Sequence, residues 1–170
     1  QVTNLVRLAT AFRLSDYKSA TVRRRIARRM NVLGIRRLRE YVDYLRVHKE
    51  EGLALVRDTF ISVTSFFRDD AAFAALSKMI DDIVRSRAGE SVIRCWVPGC
   101  ATGEEAYSIA MLFEESICNH GRSDLQYMIF ASDLDEVALE QARTGLYPAS
   151  ELDSVPKAFR DRYTENVGNF

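Results

Sequence analysis

The stretch VIRCWVPGCATGEE, residues 92–105, decides how this chain folds. Residues 92–97 form a short, near-continuous apolar run, as a buried strand does, and Pro98-Gly99 stops it. A helical pattern opens at Glu104 and carries Tyr107, Ile109, Ala110, Leu112 and Phe113. A second apolar run, residues 127–131, ends at Ser132-Asp133, and a further helix starts near Glu136 and stops at Gly145. Strand, glycine turn, helix, strand and acid, in that order, open a parallel α/β sheet of the nucleotide-binding kind.

The turn between Gly99 and Gly103 is built of small residues, which let a ligand approach the backbone while amides at the helix start face it. Asp133, at the carboxyl end of the second strand, stands where an acid accepts hydrogen bonds from ribose hydroxyls. Gly99-x-x-x-Gly103 is not the dinucleotide fingerprint, and no Lys-Ser/Thr pair follows Gly103 to make a P-loop. A cofactor site and a purely structural tight turn both fit. Glu104 and Glu105 argue against a phosphate ligand, which they would repel. They suit a cofactor carrying positive charge, such as the sulfonium and ammonium of S-adenosylmethionine. They equally suit a helix start, where acids complement the dipole.

Upstream the punctuation changes. No proline precedes Pro98, and only Gly34, Gly52 and Gly89 precede Gly99, which favours helices. Val22, Ile26, Met30 and Leu33 make one helical stripe, with Gly34 as its C-cap. Further helical stretches carry Leu38, Tyr41, Val42 and Leu45, then Leu53, Val56 and Phe60. Asp69 or Asp70 caps another, containing Phe73, Leu76, Met79, Ile80 and Ile83. The fold expected is α followed by α/β: a helical domain over residues 1–88 with a basic helix, then a partial Rossmann-like domain over 89–170. The boundary is placed near 86–91, in the polar link Ser86, Arg87, Ala88, Gly89 and Glu90.

Composition is that of an ordinary globular protein: 47% apolar, 28% charged, 24 Lys+Arg against 24 Asp+Glu. That excludes collagen-like and disordered chains. No apolar run reaches the roughly 18 residues of a membrane-spanning helix, so no membrane insertion is expected. Cys95, Cys100 and Cys118 match no zinc or thioredoxin spacing, and nothing asks for disulfides, which points to a reducing cytoplasm. His48 and His120 lie apart among polar neighbours, and no metal site is expected.

The stretch WVPGCATGEEAYSIAM, residues 96–111, closely resembles the cofactor-binding motif of the CheR-type chemotaxis receptor methyltransferases. So does FASDLD, residues 130–135, followed by Ala138-Leu139, Ala142-Arg143 and Gly145-Leu-Tyr147. SVTSFFRD, residues 62–69, resembles the family's linker motif; Tyr17-Lys18 and TVRRRIARRM, residues 21–30, resemble its basic N-terminal helix. The wording of the glycine turn is most similar to the branch in which the methyltransferase is fused to a methylesterase and sensory modules. A chain starting at Gln1 rather than Met fits an excised piece of something longer.

The resemblance implies a protein-glutamate O-methyltransferase that moves the methyl of S-adenosylmethionine to glutamates of chemoreceptor helices, leaving S-adenosylhomocysteine. The acceptor carboxylate is ionised at neutral pH, since a free Glu has a pKa of roughly 4.3, so no general base is needed. Holding the reactants aligned can supply most of the catalysis. By motif match, Thr64 and Arg68 lie at the cofactor's methionine end, and Arg68 is the candidate catalytic residue, fixing a carboxylate of cofactor or substrate. A surface ion pair of Arg68 with Asp69 or Asp70 is the bland alternative. Gly99, Gly103, Glu105 and Asp133 carry over as cofactor-binding residues, with Glu104 structural. The family often has Asn where this chain has Ser62. Phe66 and Phe67 alternate faces if extended, which puts one of them in the core.

From Lys18 to Arg39 there are nine Lys/Arg and no acid, so the rest of the chain carries net −9. Arg24, Arg25, Arg28 and Arg29 are expected on the outward face, as the family's docking surface for acidic receptor helices. Pairing with acids of the second domain ranks next, and nucleic acid, a normal ligand of arginine-rich helices, a distant third. A non-enzymatic interaction or sensory module that keeps the motifs is the alternative function. Because two strands with one crossover leave faces and edges to cover, residues 1–170 alone are expected to be inactive, with the 148–170 tail, a neighbouring chain or a further segment shielding the open edge.

Overall fold

The computed structural model describes residues 1–60, 63–88 and 91–168, with the side chain of Ser91 set aside. The expectations placed on Ser62, Gly89 and Glu90 lie outside the described residues. The chain divides into two compact units, Gln1–Ile61 and Ser62–Phe170.

The first unit is helical. Helices α1 (Val2–Thr10), α2 (Ser19–Val32), α3 (Leu38–Val47) and α4 (Lys49–Thr59) surround a core of Val6, Leu14, Val22, Tyr41, Leu45 and Leu55. Val22 and Ile26 of α2 join this cluster as their spacing requires. Gly34 ends α2 at φ +68°, with Gly34 N–H donating to Asn31 O and Ile35 N–H to Met30 O at 2.9 Å. That is the paired C-terminal closure for which glycine is preferred.

The second unit holds α5 (Asp70–Ser86), β1 (Ser91–Pro98), α6 (Glu104–Asn119), β2 (Leu125–Ser132), α7 (Glu136–Thr144) and α8 (Lys157–Tyr163). Asp69, rather than Asp70, caps α5, accepting the Ala72 N–H. The strands pair in parallel from Ser91↔Leu125 to Pro98↔Ser132. Alternation gives the pair two unlike faces. Ile93 and Val97 are buried in one cluster with Ile80 and Val84 of α5 and Ile109, Leu112 and Phe113 of α6. On the other face Trp96, Met128 and Phe130 are exposed, Trp96 at 69%.

One expectation changes here. The boundary lies between Ile61 and Ser62, not near residues 86–91, because the apolar stripe of α5 is buried with β1 and α6. Arg87 and Ala88, which follow α5, belong to the second unit. In the tail, Phe159 stacks on Phe67 at 5.4 Å, Arg162 and Tyr163 both reach Glu115 of α6, and Val155 is buried in one cluster with Ile93, Val97 and Leu125. No helix among the described residues is long and apolar enough to cross a membrane.

Candidate functional site

The glycine turn joins β1 to α6 through three left-handed residues, Gly99 (φ +71°), Ala101 (φ +46°) and Gly103 (φ +100°). The first amides of the turn are taken within the chain. Gly99 and Cys100 N–H both donate to Ser132 O, at 2.7 and 3.1 Å, and Ala101 N–H donates to Asp133 Oδ2 at 2.8 Å. Three consecutive donors thus bind the turn to the end of β2.

The two glycines do different work. A Cβ on Gly103 would stand 2.9 Å from Ala142 Cβ and 3.0 Å from the Tyr147 hydroxyl, so only glycine fits. A Cβ on Gly99 would meet nothing of this chain within 4 Å; the backbone there is open for a ligand's approach. Asp133 is half-buried, and its second oxygen accepts Asp135 N–H at 2.8 Å. A carboxylate has about four lone-pair positions, so two amides leave acceptor capacity.

The acidic pair separates. Glu104 is buried, and both its oxygens accept the Thr102 hydroxyl, at 2.9 and 2.7 Å. Glu105 is exposed and makes no hydrogen bond or ion pair among the described residues. It lines an open cleft of about 790 Å³ with Arg68, Asp69, Asp70, Phe73 and Ile109. Arg68 donates to Val63 O at 2.6 Å and forms no ion pair with Asp69 or Asp70. One guanidinium, that of Arg68, therefore shares a cleft with the carboxylates of Asp69, Asp70 and Glu105. Thr64 is half-buried in the same segment.

Phe66 and Phe67 are both buried, against the expectation that they alternate, because Phe67 turns left-handed at φ +50°. The reading of the sequence gives no role to two residues within its motifs that hold the site. Tyr147 donates from its hydroxyl to Thr102 O at 2.6 Å, and its ring meets Phe66 edge-on at 4.9 Å. Burial pushes its hydroxyl well above the usual tyrosine range. Ser108 is fully buried; its Oγ accepts Phe67 N–H at 3.1 Å and donates to Glu104 O at 2.7 Å. The available signal was a polar residue four positions before Leu112, on the face of α6 that enters the core.

The basic helix needs correction. Arg24 and Arg28 are exposed, and Arg28 lies 3.6 Å from Asp58. Arg25 is half-buried, its Nε buried without a partner among the described residues. Arg29 points inward, 18% exposed, with both nitrogens on Glu51 at 2.9 and 2.7 Å. Tyr41 completes the cluster, donating to Glu51 at 2.8 Å. The spacing explains this: Arg29 lies three residues after Ile26 and seven after Val22, within the apolar stripe. Pairing with acids does occur, but on α4 of the same unit. Residues 1–61 carry 14 Lys+Arg against 6 Asp+Glu, net +8, and residues 62–170 carry the opposing −8.

A strand end, a glycine turn and a second-strand acid bound together, beside a cleft carrying both charges, define an α/β unit of the nucleotide-cofactor class. Residues 62–169 match the family described as CheR methyltransferase, SAM binding domain, and residues 1–59 match the CheR methyltransferase all-alpha domain. The chain belongs to the CheR methyltransferase family. It is 38% identical over 169 residues to an uncharacterized 104.1 kDa protein of Rhodobacter capsulatus, covering 99% of this chain and 18% of that one. It is 32% identical over 165 residues to the chemotaxis protein methyltransferase of Escherichia coli K12, covering 96% and 54%. The corresponding Borreliella burgdorferi protein is 31% identical over 163 residues, covering 91% and 56%. The chain thus spans about half the length of these two chemotaxis relatives.

Proposed function

We propose that this chain is part of a protein-glutamate O-methyltransferase acting on the cytoplasmic helices of chemoreceptors, in a parent that also carries methylesterase and sensory domains. The observation that carries the reading is the cleft that Arg68 and Glu105 share next to the glycine turn. A ligand with a carboxylate and an ammonium at one end matches that pair, and the family's cofactor, S-adenosylmethionine, has both. When bound it supplies a methyl carbon activated by sulfonium. We assign Arg68 to its carboxylate, Glu105 to its ammonium, Thr64 to the same end, Asp133 to its ribose, and the open backbone at Gly99 to close approach. Gly103 serves by letting the turn close.

The acceptor glutamate arrives ionised, so the chain's task is alignment rather than proton transfer. Arg24 and Arg28, with Arg25 behind them, are assigned to docking acidic receptor helices; Arg29 is not, since Glu51 holds it. Three free cysteines and no disulfide among the described residues suit the cytoplasm. Residues 1–170 alone are proposed to be inactive, because one face of the strand pair leaves Trp96, Met128 and Phe130 uncovered.

The test is methyl transfer from labelled S-adenosylmethionine to a chemoreceptor by the intact protein. A base-labile methyl ester on receptor glutamate, lost in Arg68→Ala, is expected. No transfer by a folded intact protein that binds receptor and cofactor would contradict the reading.

A further inference from the structure

We propose that Ser108 is a positioning residue for Arg68. The inference rests on the assignment of Arg68 to the cofactor's carboxylate. Phe67 has a left-handed backbone, which is strained for a bulky residue and persists only where its surroundings hold it. Its side chain is buried between two rings, Phe73 at 5.2 Å and Phe159 at 5.4 Å. Its N–H is taken by the Ser108 hydroxyl, which has no exposure and is itself anchored on Glu104 O in the first turn of α6. One hydroxyl thus ties the segment before α5 to the helix that starts at the glycine turn.

Arg68 is the next residue after this junction, and Glu105 is the next residue after Glu104. Both line the same cleft. The Ser108 bridge therefore sets the spacing between the two charges, without touching the ligand. Replacing the hydroxyl leaves a buried N–H without its acceptor and frees the Phe67 peptide to turn, which swings the base of Arg68.

The experiment is calorimetric titration of the intact protein with two probes. S-adenosylhomocysteine carries the amino-acid end, and 5′-methylthioadenosine lacks it. Ser108→Ala is expected to weaken S-adenosylhomocysteine about tenfold and to leave methylthioadenosine unchanged. Ser108→Cys, close in size but a poorer acceptor, should fall between. In an Arg68→Ala background, Ser108→Ala should add nothing further. Equal loss for both probes would show that the hydroxyl serves only the fold, and no loss for either would show that it positions nothing; each overturns the proposal. Should Arg68→Ala bind S-adenosylhomocysteine at full strength, the assignment of Arg68 falls and this proposal with it. Loss in Arg68→Ala but not in Ser108→Ala defeats this proposal alone.

Discussion

Glu51 and Glu105 each sit in the first turn of a helix, α4 and α6, where an acid complements the dipole. Glu51 is 4% exposed and takes three hydrogen bonds, two from Arg29 and one from Tyr41. Glu105 is exposed and takes none among the described residues. One position is closed by the protein's own Arg29 and Tyr41; the other is left open in a cleft with Arg68, which pairs with no acid among the described residues. On the proposed reading, charge that the fold needs is neutralised within it, and charge that a ligand needs is left available.

The sharpest way to break it is at the closed position. Glu51→Ala strands the Arg29 guanidinium and should cost about 3 kcal/mol in denaturant unfolding, as for other buried pairs cut on one side. Glu105→Ala should fall within about 0.5 kcal/mol of the parent. Equal costs would dissolve the distinction.

The glycines offer the same test within the turn. Gly103→Ala meets Ala142 and Tyr147 at a left-handed φ and should lose about 2 kcal/mol of stability together with cofactor binding. Gly99→Ala meets only open space, so about 1 kcal/mol of backbone strain is expected, with the larger loss in cofactor affinity. Thermal unfolding and titration of both variants measure the two effects side by side.

In the helical unit, Arg24→Glu with Arg28→Glu should change stability by less than about 1 kcal/mol, because both side chains are exposed. Receptor methylation should drop about tenfold or more while cofactor affinity holds. The smallest effect concerns the thiols. Burial first, then the Glu105 carboxylate, raises the Cys95 thiol above the usual cysteine range. A raised thiol is less ionised near neutral pH, so removing that negative charge in Glu105→Gln should speed alkylation of Cys95, by about twofold at most, followed by mass spectrometry.

Much of this was legible beforehand. Both strands, the helix between them and the C-cap at Gly34 follow from apolar runs and their breakers, signals that local chemistry writes directly. What was not legible depends on tertiary pairing. Helix α1 starts at the first residues without a side-chain cap, and α8 shows only Phe159 and Tyr163 as apolar anchors. The apolar stripe of α5 announces a buried face but not which unit buries it. Arg29 sits on an inward stripe in plain view, yet only Glu51 explains how a charge is kept there. At the site, Gly99, Gly103 and Asp133 are brought together as their motifs imply. That Asp133 and Ser132 consume the turn's amides, and that Ser108 and Tyr147 brace it, emerges only once distant segments are in contact.

The most direct test is a calorimetric titration of the intact protein with S-adenosylmethionine, comparing the parent with Glu105→Gln and recording unfolding temperature on the same samples. An open, ligand-facing carboxylate predicts about tenfold weaker binding with an unchanged unfolding temperature. Full affinity in Glu105→Gln, or a fall in its unfolding temperature like that of Glu51→Gln, would contradict the account.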